Sequence, residues 1–170
     1  MGFSESPLLS KVALFVLPVG CLFVIIGTAT NSWYSYSLGI SQSTTSGLWK
    51  GCVDSTCVSF NGEIPDYLKA TRAFAILSIL IAVGGTAIIV VAILKNESKP
   101  LQILAIVLPA VSAVCAFIAV GVYGVEYESQ IPDSAKDIIK LSWSFALTAV
   151  GGCIEAAAAV VFAIGFFVSS

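Results

Sequence analysis

Four long apolar stretches run through the chain, at 12–30, 73–94, 101–124 and 141–168. Each reaches or exceeds the roughly 18 residues that read as a membrane-spanning helix. Composition agrees. Apolar residues make up 58% of the 170, charged residues only 11%, and the mean hydropathy is +0.99. A soluble domain carries about 25% charge. A single globular core of this size cannot hide so much apolar surface, so lipid is the natural solvent. The expectation is a membrane all-α four-helix bundle, left-handed, in one domain covering 1–170. The first stretch starts after one lysine and lacks a small-residue cleavage pattern, so it reads as a retained helix and not a cleaved signal.

The connecting segments are unequal: a long polar loop at 31–72, a tight turn at 95–100 and a medium segment at 125–140. Four spans put both termini and the short turn on one side. Lys95 and Lys99 crowd that turn, and by charge density it is the cytoplasmic side, although the raw count of Lys and Arg favours the larger loops. The reading that follows is a multi-pass plasma-membrane protein with cytoplasmic termini and two extracellular loops. The Asn96-Glu97-Ser98 glycosylation triplet then lies on the wrong side to be used.

Cys21, Cys115 and Cys153 fall inside the apolar stretches and read as packing residues. Cys52 and Cys57 fall in the long loop. If that loop is outside, the compartment is oxidising and the pair can form a disulfide. Turn-favouring Asp54 and Ser55 lie between them. The alternative is two free thiols on a cytosolic loop, and a metal site is weaker, since no further ligand cluster accompanies them.

The same loop carries strand signals. Residues 33–40 alternate bulky and small polar side chains. Residues 46–53 and 56–60 would be two further strands around the hairpin, giving a small antiparallel sheet standing on the membrane. Ile64-Pro65-Asp66 and Ile131-Pro132-Asp133 read as helix starts, so 133–140 is expected to extend the fourth helix outward.

Glu155 is the odd residue, an acid near the middle of the fourth span. Ionised there, it costs on the order of 3 kcal/mol. It is either a protonated or hydrogen-bonded structural group, with Thr28, Thr86 or Ser112 as candidate partners, or an intramembrane site for a partner or ion. Small residues Gly84, Gly85, Ala149, Gly152 and Ala156 permit close helix contact. His is absent, and no nucleophile–base pair, P-loop or metal cluster is visible. The chain reads as no enzyme, with no cofactor and no metal. A net charge of −2 gives no sign of nucleic-acid binding.

A first span, then Trp33, then Gly47-Leu48-Trp49, then Cys52 and Cys57 resembles the signature of the claudins. Peripheral myelin and epithelial membrane proteins, and the calcium-channel gamma and AMPA-receptor regulatory subunits, share it in looser form. Leu68-Lys69-Ala70-Thr71-Arg72-Ala73 is similar to the segment opening the claudin second span. Trp143, Leu147 and Gly151-Gly152 are similar to its fourth. The resemblance implies a claudin-like fold in which Trp33 and Trp49 anchor the sheet to the bundle. Arg72, at the mouth of the second span, either hydrogen-bonds loop carbonyls or an acidic neighbour, or snorkels to headgroups.

The resemblance also implies a tetraspan of cell–cell or tight junctions, adhering or forming a paracellular barrier through its extracellular loops. Self-association and a claudin-like protein on an opposing cell are the implied partners, beside membrane lipids. The looser relatives imply an auxiliary subunit of a channel or receptor instead. Departures exist. The cysteines stand five positions apart, closer than in vertebrate claudins, and the first loop is shorter. Claudins end in a hydrophobic residue that binds PDZ scaffolds. This sequence ends Phe167-Val168-Ser169-Ser170, so either a tail is truncated or scaffold attachment is missing. Residues 34–46 hold no ionisable group except tyrosine, and the loop balances Lys50, Lys69 and Arg72 against Asp54, Glu63 and Asp66. A selective pore needs a ring of one sign, so sealing or adhesion is expected over selective conduction.

Overall fold

A computed structural model describes residues 8–38, 42–54, 56–60, 62, 64–95, 99–130 and 139–169. Its elements run α1 (Leu8–Ala29), β1 (Tyr34–Leu38), β2 (Gln42–Ser46), β3 (Lys50–Val53), β4 (Thr56–Ser59), α2 (Asp66–Leu94), α3 (Lys99–Gln130), β5 (Ile139–Leu141) and α4 (Trp143–Ser169). All four helices are long and apolar enough to cross a membrane. Helices are what such sequences must form in lipid, because each backbone N–H and C=O then finds its partner within the segment. Around the bundle, α1 packs on α2 and α4, and α3 packs on the same two.

The inward faces explain the packing. In α2 the buried positions Leu68, Thr71, Ala75, Ser78, Ala82, Gly85, Ile89 and Ala92 follow alternating steps of three and four, with Ile93 buried beside the last. In α1, Ser10, Ala13, Leu17, Gly20, Val24 and Gly27 repeat the pattern. A sustained 3.5-residue repeat winds helices around one another left-handedly. Many of these residues are small or hydroxylated, while large apolar side chains such as Phe15, Leu80 and Val160 point outward. That inversion suits lipid, where close backbone approach drives helix association. The stripe differs from the one the sequence suggested. Among those five small residues Gly85 and Gly152 do pack closely on α3, against Leu108 and Ala116, but Gly84 faces open space, and Gly20, Gly27 and Gly151 hold α1 against α4.

At one end of the bundle the strands form an antiparallel sheet in the order β4-β3-β2-β1-β5. The sheet departs from expectation in two places. The run 46–53 is not one strand: Ser46 ends β2, Lys50 begins β3, and Gly47-Leu48-Trp49 link them. The described end of 133–140 does not extend the fourth helix. Ile139 and Lys140 belong to β5, paired with Ser35 and Tyr36, and α4 starts at Trp143. The extended helix is α3, which continues to Gln130. Strand pairing with β1 satisfies the backbone of 139–141, which no local propensity could announce. The Ile131-Pro132-Asp133 start, the Asn96-Glu97-Ser98 triplet, Glu63 and Ser170 lie outside the described residues. The Ile64-Pro65-Asp66 start does appear, with α2 beginning at Asp66 behind Pro65.

Candidate functional site

The candidate site is the joint between sheet and bundle, and it begins as a backbone problem. A helix leaves its last four carbonyls without intrahelical partners. In α1 the carbonyls before the final residue, on Ile26, Gly27 and Thr28, are each taken up by a residue from outside the helix. Thr30 N–H and Thr30 Oγ1 donate to Ile26 O at 3.1 and 2.6 Å. Trp33 Nε1 donates to Gly27 O at 2.8 Å. Trp49 Nε1 donates to Thr28 O, also at 2.8 Å. The two indoles therefore fasten β1 and the β2–β3 link onto the end of one helix.

Trp33 is 0% exposed. Its ring meets Tyr123 of α3 and Phe145 of α4 edge-on, with centroids 4.8 and 5.9 Å apart. Leu48, Leu68 and Tyr123 complete a small core beneath the sheet. Gly47 must be glycine here. A Cβ would stand 2.5 Å from Asn31 Cα and 2.7 Å from Thr30 O. That contact lets Leu48 drop into the core and leaves its carbonyl facing α2. There Arg72 Nε donates to Leu48 O at 2.8 Å, Arg72 Nη2 donates to the same oxygen, and the guanidinium lies 4.7 Å from the centre of the Trp49 ring. A planar guanidinium can do both at once. Of the roles open to Arg72, the geometry holds the loop-carbonyl contact.

The fourth helix is tied in by a relay. Ser32 N–H donates to Ser144 Oγ at 3.2 Å, Ser144 Oγ lies 2.8 Å from Thr30 Oγ1, and Thr30 donates onward to Ile26 O. Ser144 N–H returns to Ser32 O at 3.0 Å. Sequence reasoning missed this serine and threonine relay. Its signal was the pair Thr30 and Ser32 directly after an apolar run, where side-chain caps belong.

Cys52 and Cys57 are directly opposed on β3 and β4 and form a disulfide, with Cα atoms 4.0 Å apart. Between them Asp54 adopts a left-handed conformation, φ 52°, and accepts from Ser43 N–H at 3.1 Å. Asp tolerates that region better than most residues.

Glu155 stands apart from the joint. It is 0% exposed, in the interior of the bundle. Its Oε2 accepts from Ser112 Oγ of α3 at 2.6 Å and from Ser78 Oγ of α2 at 3.2 Å. The absent side chain of Gly20 on α1 makes room, since a Cβ there would lie 2.9 Å from Glu155 Cγ. One carboxyl thus meets all three other helices. Of its three candidate partners, Ser112 is in place. Thr28 Oγ1 has no partner, and Thr86 Oγ1 donates to Ala82 O instead. Ser78 was not foreseen, although it sits at the heptad position facing Ser112. The second carboxyl oxygen, Oε1, has no hydrogen-bond partner. Among the described residues no group of three or more His, Cys, Asp or Glu side chains could hold a metal.

Known proteins resemble this chain over most of its length. The model of the PMP-22/EMP/MP20/Claudin family matches residues 7–162. The lens fiber membrane intrinsic protein of Rattus norvegicus is 36% identical over 85 residues, 50% of this chain and 48% of the relative. That of Homo sapiens is 39% identical over 72 residues, 42% and 40% of the two chains. Epithelial membrane protein 1 of Oryctolagus cuniculus is 29% identical over 119 residues, 68% and 71%. The match spans about half the length of the lens proteins.

Proposed function

We propose a function from one premise: this chain belongs to the PMP-22/EMP/MP20/Claudin family. It is a multi-pass membrane protein, and we read it as a non-enzymatic structural protein of cell–cell contacts. In this reading the sheet stands outside the cell, both termini are cytoplasmic, and the protein adheres or seals through the sheet. It associates side by side with other copies, and with a claudin-like protein on the facing membrane.

The observation that carries the reading is the rigid mounting of the sheet. Two indole caps on α1, the Arg72–Leu48 contact with α2, the Trp33–Tyr123 ring contact with α3 and the Ser144 relay to α4 join it to all four helices. A surface so fixed is presented in one orientation, as adhesion needs. What it presents fits contact more than conduction. Val53 and Val58 on the β3–β4 hairpin are 49% and 65% exposed, and β4 is an edge strand with unpaired backbone groups. The disulfide supports the outward placement, since such bonds persist in oxidising compartments.

Expression in cells that lack junction strands tests it. Freeze-fracture strands at cell contacts, and aggregation of transfected cells, are expected. Uniform surface distribution with co-purification of one large channel or receptor would instead establish an auxiliary subunit. A dilution-potential measurement across an expressing monolayer is expected to show little cation or anion preference. A strong preference would sink the sealing role.

A further inference from the structure

A cavity of about 400 Å³ opens between the sheet and the bundle. Small-ligand pockets fall in the same range, ~300–1,000 Å³. Four aromatic rings from four separate pieces of chain line it: Tyr34 on β1, Phe60 after β4, Tyr67 at the start of α2 and Tyr123 near the end of α3. Tyr67 and Tyr123 meet edge to face with centroids 6.2 Å apart. Among the described residues, no lysine, arginine or acid lines the cavity.

We infer that this cavity binds a trimethylammonium group, carried by a choline lipid of the leaflet on the sheet side. Three arguments converge. Ring faces attract positive charge, and among the described residues no cationic side chain lines the walls to hold an anion. Metal ions and primary ammonium groups are strongly hydrated, and among the described residues the walls offer no carboxylate to replace the lost water. A quaternary ammonium presents methyl groups, and aromatic faces receive it without that penalty. The level also fits. The cavity lies where α2 begins and α3 nears its end, and tyrosines at such ends sit among headgroups. The inference is independent of the junction role, because it concerns how the joint meets its own lipid.

The test uses the full chain purified in dodecyl maltoside. It is titrated with dihexanoyl phosphatidylcholine, dihexanoyl phosphatidylethanolamine and phosphocholine, with intrinsic fluorescence as the readout. Phosphatidylcholine is expected to bind about tenfold more tightly than phosphatidylethanolamine, and phosphocholine more weakly than the lipid. Tyr67→Phe should keep that preference and Tyr67→Ser should lose it. Phe60→Ser, on a more exposed ring, should also weaken it and serves if Tyr67→Ser fails to fold. Equal binding of the two lipids, or a preference untouched by Tyr67→Ser and Phe60→Ser, overturns the site. Phosphocholine binding as tightly as the lipid overturns the lipid as its source.

Discussion

Trp33 and Trp49 donate their indole N–H groups to consecutive carbonyls, those of Gly27 and Thr28, each at 2.8 Å. The residues lie sixteen positions apart, one just before β1 and one just after β2, and so enter from the open end of the hairpin, where Tyr34 pairs with Ser46. They meet at one helix end because α1 must release its last carbonyls exactly where the chain leaves lipid. A tryptophan is fitted to this task, having a large apolar body and a single donor. Two of the bonds that set the sheet's position therefore have acceptors in the bundle.

Removing one donor at a time separates capping from packing. Trp33→Phe keeps an aromatic ring in the small core but leaves Gly27 O buried with only the long contact from Thr30 Oγ1, 3.4 Å. An unsatisfied buried acceptor costs about 1–3 kcal/mol. Trp49→Phe should cost less, because Trp49 is 36% exposed and water can replace its N–H. Thermal unfolding in detergent checks the order. Equal losses at both positions would show that the caps act through bulk alone.

Arg72 is predicted not to tolerate lysine. Lysine offers one point donor, whereas Arg72 binds Leu48 O through two nitrogens while its plane lies over Trp49. Arg72→Lys should therefore lose about 1–2 kcal/mol. In a double-mutant cycle with Trp49→Leu, the losses should fall short of additive by at least about 0.5 kcal/mol. Strict additivity would mean the guanidinium and the indole act independently.

What the sequence made legible follows the reach of each physical signal. The four spans were plain because hydropathy is summed over some twenty residues. The hairpin was plain because Asp54 and the two cysteines are local. β5 was invisible, because Ile139–Leu141 becomes a strand only by pairing with β1, a hundred residues away. The bundle's inner face was hidden for another reason. In water the buried stripe is the most apolar one. Here it carries Ser78, Ser112, Ser144, Thr148 and Glu155, and the most apolar residues face out. A search for a heptad of small and hydroxylated residues within the apolar runs would have found it. The Trp33 and Trp49 motif was visible as a resemblance, but its acceptors were not, since carbonyls carry no sequence identity.

Gly27 is predicted to be among the least replaceable residues of the spans. A Cβ there would lie 2.2 Å from Thr148 Oγ1 and 2.7 Å from Ser144 O. Neither neighbour can retreat cheaply, since Ser144 O is backbone and Thr148 Oγ1 donates to it at 3.0 Å. Gly27→Ala should force α1 from α4, costing about 1–3 kcal/mol and reducing surface expression. Gly84→Ala, at a position facing open space, is the matched control and should change stability by less than about 0.5 kcal/mol.

Glu155 is predicted to matter for its shape and hydrogen bonds more than for its charge. Glu155→Gln keeps an oxygen for Ser112 and Ser78 and nearly the same volume, so its cost should stay under about 1.5 kcal/mol. Glu155→Ala leaves a void among four helices and strips both serines of their shared acceptor. It should lose about 2–5 kcal/mol, in the range of large-to-small core changes. Comparing unfolding temperatures and surface expression of the two variants reads this directly. The carboxyl is 0% exposed and faces the other three helices, so a partner outside the bundle cannot touch it while the bundle is closed. Loss of lateral assembly in Glu155→Gln, with normal unfolding and normal surface expression, would show that the charge itself serves a partner and would refute the structural role.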